Sequence, residues 1–555
     1  MANENDRTRS RHFLPELSGL SKGGKSYFAL ACLLELISSL CFARFIFYSA
    51  EILRLAQTGL LADMLQALWW SLAFLAFKFV AAIGANRVRL AFLSDGTLRM
   101  RAALMGAIFQ RPLRSFRAQN DAYYLNLLGA DTDLYALERL DMIHWIFCGL
   151  ADLGIYAVAL FLLNPWLLAI SVVLSAPPFA IGRLVSGVTQ RRKQAYSNTS
   201  EGFTATLKEG IEGYETLRMG QGAASYLQRF LESCRQRQQA YSASSMANAI
   251  SMQMLYGTAC LLSAGCTAIG GWLLIRKVLS VSMLFAAVSY SSNLSNAFSN
   301  LAEYLITLHS AKKIAEKLHA ACQTASPAQA ARPTAAKPEL CYERVSFSFG
   351  ERKLYEDFSY RFEQNGCYAV IGESGSGKST LLKLLLKYYD DYSGTISLSG
   401  RDIRALSEDE VFAAVGVVEQ TPFLFNASLY ENIMLFRQDL AEDSNEYRKL
   451  LQDLNLTALA ERVGNQPLGD FGDNISGGER QRISIARTMW RQPRIVLFDE
   501  PTTGLDPENG SLINRFIFEQ THMLRIVVGH NWDNEYLERF DGVIRVGADD
   551  GSLSC

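Results

Sequence analysis

The stretch Ile-Ser-Gly-Gly-Glu at 475–479, followed by the apolar run Ile-Val-Leu-Phe at 495–498 and the acids Asp499 and Glu500, decides the fold of the C-terminal third of this chain. Ser-Gly-Gly at a predicted helix start offers free backbone N–H groups and the positive end of the helix dipole to an anion. A short apolar run predicts a buried strand, and acids at its C-terminal end stand where parallel α/β sheets hold ligands. The stretch therefore predicts an anion site beside two carboxylates.

A second glycine-rich stretch, Gly-Glu-Ser-Gly-Ser-Gly-Lys-Ser-Thr at 372–380, follows the apolar strand pattern Tyr368–Ile371 and precedes a leucine-rich helix pattern. This strand–loop–helix context is typical of a phosphate-binding loop. Its glycines let backbone N–H groups point at phosphates, Lys378 reaches the β- and γ-phosphates, and the Ser379 hydroxyl can ligate Mg²⁺. The predicted nucleotide-binding residues are Gly372, Glu373, Ser374, Gly375, Ser376, Gly377, Lys378, Ser379 and Thr380.

Composition predicts that the larger part of the chain lies in a membrane. Of the 555 residues, 49% are hydrophobic and only 20% are charged. Apolar runs of about 20 residues, the length that a helix needs to cross a bilayer, concentrate before residue 310. The net charge is -1, so no basic field favours nucleic acid as a partner. We expect an integral membrane protein with a soluble C-terminal third.

Six membrane spans are predicted from the apolar runs. Residues 11–20 read as a short amphipathic entry helix, and the first run is too long for a signal peptide and lacks a small-residue cleavage site. Two long polar helical connections, after the second and fourth spans, carry most of the basic residues. The positive-inside tendency then places these connections, both termini and the C-terminal domain on the cytoplasmic side of a multi-pass protein of the inner (cytoplasmic) membrane. The predicted spans are 27–50, 62–86, 140–163, 166–188, 247–275 and 281–305.

Several predicted spans contain charged or amide side chains. A charge that faces lipid at mid-bilayer costs about 2.5–3.5 kcal/mol, so these groups should face the helix bundle or a wet cavity. The sixth span carries a continuous polar face at helical spacing. Pairing between helices explains such groups as well as a cargo cavity does, and both interpretations stay open. The predicted cavity residues are Glu35, Arg44, Lys78, Asp152, Asn293, Asn296 and Asn300.

The ten cysteines are scattered along the chain. They form no C-x-x-C pair, and we expect no histidine at metal-ligand spacing from them. This pattern predicts buried thiols in a reducing compartment rather than a disulfide framework.

A change of composition at 322–338 divides the chain. Ala, Pro, Thr and Gln predominate there, which is typical of a linker. Residues 1–321 are then the predicted transmembrane domain, and residues 339–555 are a nucleotide-binding domain that opens with alternating strand patterns. The predicted fold is multidomain, with an all-α six-helix transmembrane domain followed by an α/β P-loop ATPase domain.

Together, the phosphate loop (372–380), the signature turn (475–479) and the acids after residue 498 resemble the motifs of ATP-binding cassette (ABC) transporters. Six spans with two deep loops fused to one cassette resemble the half-transporter layout of the exporter-type family, and the resemblance covers essentially the whole chain. It implies that the protein lies in a lipid bilayer and binds ATP and Mg²⁺. It also implies that two cassettes close head to tail, so that a second half-transporter, a copy or a homologue, is required.

The resemblance also implies roles for single residues around the nucleotide. Phe349 matches the aromatic residue that stacks on adenine. Asp499 matches the acid that holds Mg²⁺ together with Ser379, and Gln420 matches the glutamine that contacts Mg²⁺ or water. Glu500 would then position or deprotonate the attacking water.

Other matched residues concern the γ-phosphate and the partner. His530 matches the switch histidine that contacts the γ-phosphate, and Asp506 lies in the loop that crosses between cassettes. The regions 115–133 and 209–218 resemble the two segments that couple the membrane domain to the cassette. The residues that would serve the nucleotide of the partner are Ser476, Gly477, Gly478 and Glu479.

The sequence departs from the family pattern in a few places. None of these changes removes a group that hydrolysis requires, so we expect a competent site. They are Glu479 in place of glutamine, Thr503-Gly504 in place of a small pair, Asn531-Trp532 after the switch histidine, and Asp470 in place of glutamate in the loop 468–472.

The resemblance leaves the cargo and its direction open. Export of a peptide, lipid or amphipathic small molecule is the first hypothesis, and import of a metal chelate such as a siderophore is the alternative. An ATP-gated channel or regulator that does not pump is disfavoured by intact Glu500 and His530. A soluble ATPase of the DNA-repair kind would need long coiled coils beside the cassette, whereas this chain has membrane spans.

Overall fold

The computed structural model describes residues 22–174, 177–323, 339–350, 352–373, 375–437, 442, 444–469, 474–530 and 532–546. The chain separates into two compact units, one comprising Met1–Arg111 and Phe116–Ser326 and the other Pro112–Ser115 and Pro327–Cys555. Some sequence-based predictions fall outside the described residues: the entry helix at 11–20, residues 324–338 of the linker, Ser374, residues 470–472 and Asn531.

The part of the chain before the linker is helical. Two π-helical turns, Leu127–Asp131 and Ala136–Leu140, lie between its helices and run without a break into the third long apolar segment. The helices are α1 (Lys22–Thr58), α2 (Leu61–Phe109), α3 (Leu113–Arg117), α4 (Asp121–Asn126), α5 (Thr132–Tyr135), α6 (Asp141–Leu163), α7 (Pro165–Leu174), α8 (Pro177–Glu212), α9 (Tyr214–Met219), α10 (Ala223–Ile275), α11 (Val281–Ser310) and α12 (Lys312–Gln323).

These helices confirm the predicted helical membrane domain. Among the described residues, three helical segments are long and apolar enough to cross a membrane: Gly23–Thr58, Leu61–Phe109 and Asp121–Leu163. The fourth predicted span falls on α7 and α8, and the fifth and sixth fall on α10 and α11. α11 is not one of these three segments, because serine and asparagine side chains interrupt its apolar residues.

The polar extensions of the long helices are tied together by ion pairs that are largely shielded from solvent. Burial strengthens such pairs, because water screens them less than it screens pairs on an open surface. The nitrogen–oxygen distances are 2.7–2.8 Å in the pairs Arg89–Asp141, Lys193–Glu138 and Lys317–Asp131.

The residues just before the first predicted coupling region, 115–133, belong to the second unit, and the region itself shares only Ser115 with it. Pro112–Ser115 belongs to that unit, and within it the backbone N–H of Leu113 donates to the Glu408 carboxylate at 3.1–3.2 Å. The guanidinium of Arg114 pairs with Asp390 at 3.1 Å. In the other predicted segment, α8 ends at Glu212 and α9 begins two residues later.

The second unit contains nine strands in two sheets among the described residues. An antiparallel sheet has the order β2-β1-β4-β5, and a parallel sheet has the order β6-β7-β8-β3-β9. The strands are β1 (Leu340–Phe349), β2 (Arg352–Phe362), β3 (Cys367–Gly372), β4 (Ser393–Leu398), β5 (Arg401–Asp402), β6 (Val415–Val418), β7 (Ile495–Asp499), β8 (Leu524–Gly529) and β9 (Gly542–Val546). The helices are α13 (Lys378–Leu385), α14 (Glu408–Ala414), α15 (Leu429–Met434), α16 (Asn445–Asp453), α17 (Thr457–Val463), α18 (Gly477–Trp490), α19 (Pro507–Glu519) and α20 (Asn534–Leu537).

The parallel sheet positions the predicted site. β3, β7 and β8 are neighbours, with Val370 beside Val528 and Asp499 beside Val528 on the other side. Their interior residues are buried on both faces, as expected for a parallel sheet covered by helices. The carboxyl ends of all three strands therefore meet at one edge, where Gly372, Asp499 and His530 follow.

The cysteines depart in part from the sequence-based prediction. The described cysteines are free, but Cys260 is exposed on this chain, and Cys32, Cys41 and Cys234 are only half-buried. The expectation that no histidine stands at ligand spacing is wrong, because His144 and Cys148 are one helical turn apart on α6 and Cys32 of α1 lies beside them.

Candidate functional site

The phosphate loop connects β3 to α13 and is held by its own lysine. The Nζ of Lys378 donates to the carbonyl oxygens of Gly372 and Glu373 at 2.9 and 2.8 Å. The lysine is only 6% exposed, so these bonds satisfy a charged group that is almost fully buried. An anion in the loop can replace both carbonyls as the partner of this ammonium group.

Two glycines of the phosphate loop have backbone conformations that side chains disfavour. Gly375 has a φ of 78° and Gly377 a φ of 109°. A Cβ on Gly377 would also lie 2.9 Å from the hydroxyl oxygen of Tyr355, whose OH donates to the carbonyl of the same glycine. The hydroxyl of Ser376 is buried and has no hydrogen-bond partner among the described residues. The loop thus keeps a free donor for a ligand.

Ser379 and Asp499 meet at the edge of the sheet. The Ser379 hydroxyl donates to Oδ1 of Asp499 at 3.0 Å. Burial raises the pKa of the Asp499 carboxyl, although this hydrogen bond opposes the shift. A buried carboxylate beside a hydroxyl oxygen is a donor set that suits a hard cation such as Mg²⁺, which would offset the burial of the negative charge.

Three side chains contact the carboxylate of Glu500. Gln420 Nε2 donates to its Oε2 at 2.7 Å, the Thr503 hydroxyl donates to the same oxygen at 3.2 Å, and His530 Nδ1 lies 3.4 Å from Oε1. The backbone of Glu500 has a φ of 48°, a strained conformation for a residue with a side chain. Its N–H donates to the carbonyl of Val528 on β8, which holds the strained turn against the sheet. The acid is therefore fixed in position.

Most of these residues line one cavity of about 930 Å³, whereas Ser376, Asp499 and Thr503 stand behind its lining. This volume suits a small-molecule ligand, because such sites measure about 300–1,000 Å³. Predicted residues from β1, the phosphate loop, the segment after β6 and the ends of β7 and β8 converge there. The lining comprises Phe349, Arg352, Leu354, Gly372, Glu373, Gly375, Gly377, Lys378, Ser379, Thr380, Gln420, Glu500 and His530.

The aromatic residue at the mouth of the cavity is supported by two neighbours. Phe349 is 46% exposed, and its ring packs edge-on against Tyr389 and Phe347 at centroid distances of 5.2 and 5.0 Å. This leaves one face of the ring for a flat ligand.

Sequence reasoning missed several residues of this site. Arg352 and Leu354 line the cavity from β2, and Arg352 donates to the carbonyl of Gly375 at 3.0 Å. Thr503 was noted only as a departure from the family pattern, yet it holds Glu500. Trp532, another departure, covers Gly529, where a Cβ would lie 2.2 Å from the indole ring. The glycine before His530 is therefore required by packing.

Two residues of the signature turn bond to each other. Ser476 is the N-cap of α18, and its hydroxyl accepts from the N–H of Glu479 at 3.3 Å, while the Glu479 carboxylate accepts from the N–H of Ser476 at 2.9 Å. This is a capping box, in which Glu and Gln serve equally. Arg462 pairs with the same carboxylate at 3.0 Å. Partial burial raises the pKa of Glu479, but the bonds from Ser476 and the Arg462 guanidinium outweigh it and hold the pKa below its usual value.

The two glycines of the turn have different surroundings. Gly477 is exposed, and a Cβ there would approach only Leu505, at 3.8 Å. Gly478 is buried, and a Cβ there would lie 3.0 Å from the side chain of Asn509. Packing within the chain therefore favours glycine at the second position, where a Cβ would press on Asn509, and leaves the first unexplained.

Asp506 caps the next helix. Its carboxylate accepts from the N–H and the side-chain amide of Asn509 at 3.2 and 2.6 Å, and these bonds lower the pKa of Asp506. The amide oxygen of Asn509 accepts from buried Arg482 on α18. Asp506 and the signature helix are thereby joined in one hydrogen-bonded network.

The predicted cargo residues are distributed over four helices. Glu35 on α1 lies close enough to Lys78 on α2 and Asp152 on α6 for electrostatic interaction. The Nζ of Lys78 also lies 4.6 Å from the ring centroid of Phe42. One oxygen of Asp152 is buried without a hydrogen-bond partner among the described residues.

Three further predicted residues are exposed on this chain: Arg44, Asn296 and Asn300. Asn293 donates to the Ser289 carbonyl of its own helix.

Comparison with known proteins agrees with this geometry. A family model described as ABC transporter matches residues 355–503, and one described as ABC transporter transmembrane region matches residues 27–298. A solved structure titled as a bacterial Atm1-family ABC exporter with ATP bound superimposes with a TM-score of 0.81, covering 94% of this chain and 93% of the other at 20% identity. At this identity, the likeness concerns the fold.

Curated relatives match parts of the chain. A mycobactin import ATP-binding/permease protein of Mycolicibacterium smegmatis is 31% identical over 267 residues, 47% of this chain and 46% of that protein. A mitochondrial iron-sulfur clusters transporter of Saccharomyces cerevisiae is 31% identical over 46% of this chain and 37% of its own length. A mitochondrial ATP-dependent permease of the same yeast is 25% identical over 86% of this chain and 64% of its own. The chain spans less than half the length of the first curated relatives that it matches.

Proposed function

Because this chain belongs to the ABC transporter family, as an exporter-type half-transporter with fused membrane and nucleotide-binding domains, we propose that it uses ATP hydrolysis to move a solute across a membrane. The observation that carries this proposal is the convergence of Lys378, Ser379 and Glu500 on one cavity, with Asp499 hydrogen-bonded to Ser379. A multi-pass chain with this site is an ATP-driven translocase.

In this proposal, the cavity binds ATP. Phe349 stacks on adenine with the ring face that Tyr389 and Phe347 leave free. The ammonium of Lys378 exchanges its two carbonyl partners for the β- and γ-phosphates, and the hydroxyl of Ser376 gains a partner. Hydrogen bonds to a charged donor are worth about 1.5–3 kcal/mol each, so Lys378 supports much of the affinity.

Ser379 and Asp499, with Gln420, would hold Mg²⁺. The bound ion supplies charge neutralisation of the phosphates. Glu500 accepts or orients the proton of the attacking water, and His530 donates to the γ-phosphate. Gln420 donates to Glu500 through Nε2, and in this proposal its amide oxygen contacts the cation.

The signature turn supports the proposal of a dimer. Its side chains are engaged within the chain, whereas Gly477 is exposed at the start of α18 with space beside it. In the proposed assembly, this helix start contacts the γ-phosphate held by the phosphate loop of a second half-transporter. That partner is a second copy or a homologous chain, and the membrane is the inner membrane of the cell with the cassette on its cytoplasmic side.

For the cargo, export of a peptide, lipid or amphipathic small molecule is the leading proposal. The fold neighbour is titled an exporter, and the membrane domain has the corresponding layout of helices. Import of a metal chelate is a second candidate. It is favoured by the 31% identity to a protein named for mycobactin import and by the polar groups on α11.

The direction can be tested in sealed vesicles of known orientation. Right-side-out vesicles loaded with ATP should lose labelled amphipathic peptide or lipid from their lumen or inner leaflet if the chain exports it. Accumulation of an external ferric chelate in the same vesicles would instead support import. Glu500→Gln vesicles serve as the control, because they retain the protein without turnover. The same variant purified in ATP from the native host should carry the partner chain with it.

A further inference from the structure

Three metal-ligating side chains meet in the membrane domain, away from the nucleotide site. Cys32 lies on α1, and His144 and Cys148 lie one turn apart on α6. The Sγ of Cys32 is 3.5 Å from Nδ1 of His144, and the Sγ of Cys148 is 3.5 Å from Nε2 of the same ring. One ligand atom from each residue lies within 4.8 Å of the other two.

We propose that Cys32, His144 and Cys148 form a binding site for a thiophilic divalent metal ion, for which Zn²⁺ is the reference. Zinc binds sulfur at about 2.3 Å and imidazole nitrogen at about 2.0 Å, so two such ligands on a tetrahedral ion stand about 3.5 Å apart. The two sulfur–nitrogen distances already have this value. Since only one ring nitrogen binds the ion, the thiol beside the other nitrogen must move towards it, and the three ligand atoms already lie within 4.8 Å of one another.

Charge balance favours the ion at this depth. Binding breaks the two S–H bonds, the protons pass to solvent, and the two thiolates with neutral imidazole exactly offset the 2+ charge. The filled site is therefore neutral, and a neutral site avoids the cost of an uncompensated charge in a medium of low dielectric constant. His144 and Cys148 are 1% and 5% exposed, so the ligands are shielded from bulk water.

The surroundings fix the histidine and mark the position of the site. The ring of Phe28 packs edge-on against His144 at a centroid distance of 6.0 Å. Glu35 lies one turn after Cys32 on α1. The Arg89–Asp141 ion pair lies one turn before His144, at the polar end of α6. The ion would thus enter from the polar end of the helices.

Three protein ligands leave one coordination position of a tetrahedral ion open. In structural zinc sites all four positions are filled by protein, whereas an open position lets water or an external thiolate bind. The site joins α1 to α6, so an ion there would also couple these two helices. This inference concerns metal binding by the chain itself and stands whether the transported cargo is exported or imported.

The test measures metal uptake by the full-length protein in lipid nanodiscs under reducing conditions. Equilibrium dialysis against limiting Zn²⁺ and elemental analysis should give one ion per chain. Cys32→Ser, Cys148→Ser and His144→Ala should each weaken binding at least 10-fold. Loading with Co²⁺ instead should produce the thiolate-to-cobalt charge-transfer absorption in the near ultraviolet. Cys41→Ser on α1 and Cys266→Ser on α10 are matched controls, because both remove a membrane thiol outside the cluster.

Folding is checked separately through the melting temperature of each metal-free variant and its affinity for ATP. The proposal is overturned if wild-type protein takes up no more Zn²⁺ than the variants, or if the controls lose binding equally. It is also overturned if Co²⁺ binds without the thiolate absorption. Isolation of a Cys32–Cys148 disulfide from protein kept reduced would contradict it too, since both sulfurs would then be unable to ligate.

Discussion

The phosphate loop and the signature turn are both glycine-rich segments at helix starts in the same unit, yet their polar side chains are used in opposite ways. In the phosphate loop, Ser379 reaches Asp499 on β7, Ser376 has no hydrogen-bond partner among the described residues, and Lys378 bonds to carbonyls of its own loop that an anion can replace. In the signature turn, Ser476 and Glu479 bond to each other, and Arg462 of the same chain pairs with Glu479.

This difference indicates what each segment needs. The phosphate loop forms a site together with β7 and β8 of its own chain, so its function can be inferred from a single copy. The signature turn offers only the exposed backbone of Gly477 and the end of a helix dipole, and its use depends on a ligand from outside the chain. Substitutions in the phosphate loop therefore test a site formed within one chain, and substitutions in the signature turn test a site shared between two chains.

The largest effect is expected from Glu500→Gln. The amide keeps the contacts of Gln420 and Thr503 with the retained oxygen but cannot accept a proton, and loss of general-base catalysis costs about 10²–10⁴-fold in rate. Steady-state ATPase assays should show this loss, while equilibrium binding of ATP stays within a few-fold. Glu519→Gln, a change at an exposed acid on α19, is the control and should keep full activity. Near-normal turnover in the Glu500 variant would refute the assignment.

The second effect concerns Lys378→Ala, which removes the buried ammonium of the phosphate loop. Loss of about 1.5–3 kcal/mol of charge-assisted bonding weakens ATP binding about 10- to 100-fold. Thermal-shift titration with ATP measures this directly, because a ligand that binds the folded state raises its melting temperature. Lys353→Ala, at an exposed lysine of β2, should bind ATP normally. Unchanged affinity in the Lys378 variant would show that the ammonium stays on its carbonyl partners.

The nucleotide site was largely predictable from sequence because its motifs are local. A strand, a glycine loop and a lysine lie within a dozen residues, so Lys378 and Ser379 could be named at once. The partners from other strands were harder to name. Arg352 and Thr503 contact the site only through the order of strands in the sheet, and no spacing along the chain reveals that order. The capping role of Glu479, by contrast, could have been predicted, because Glu479 follows Ser476 at the spacing of a capping box.

The membrane domain was predictable as helices but not as a set of contacts. Apolar runs locate spans because the bilayer thickness fixes their length. Which faces meet depends on packing between helices that are distant in sequence. Cys32 and Cys148 are 116 positions apart in the chain, and only the pairing of α1 with α6 brings them to one histidine. The i,i+4 spacing of His144 and Cys148 was the available signal.

The third prediction compares two adjacent glycines. Gly477→Ala should fold normally and gain up to about 1 kcal/mol of stability, because alanine is favoured over glycine in a helix and the added Cβ makes only an ordinary van der Waals contact with Leu505. Gly478→Ala should be destabilised, because its Cβ presses on Asn509 and disturbs the network with Arg482. Thermal unfolding of the purified chains measures both changes.

The same pair then separates folding from function. In the proposed dimer, Gly477→Ala keeps the backbone N–H but places a Cβ where the phosphate held by the partner would approach the start of the helix. ATPase activity should then fall about 10-fold or more despite normal folding and normal ATP binding, because keeping the phosphate out of hydrogen-bond distance costs about 1.4 kcal/mol or more. Wild-type ATPase activity in this well-folded variant would argue that the signature turn makes no contact with a nucleotide held by another chain.

The smallest effect is expected for Glu479→Gln, which restores the residue usual in the family. Gln retains the capping box but loses the ion pair with half-exposed Arg462, and such pairs contribute about 0.2–1 kcal/mol. Because the folded pKa of Glu479 is lowered, its stabilising contribution is present above the unfolded pKa and disappears as the pH falls through the folded pKa. The melting temperature of the variant should therefore lie slightly below that of the wild type at pH 7, and the two should converge in acid. A difference in melting temperature between variant and wild type that stays constant or widens on acidification would contradict this expectation. It would mean that Ser476 and Arg462 do not hold the carboxylate of Glu479 in solution.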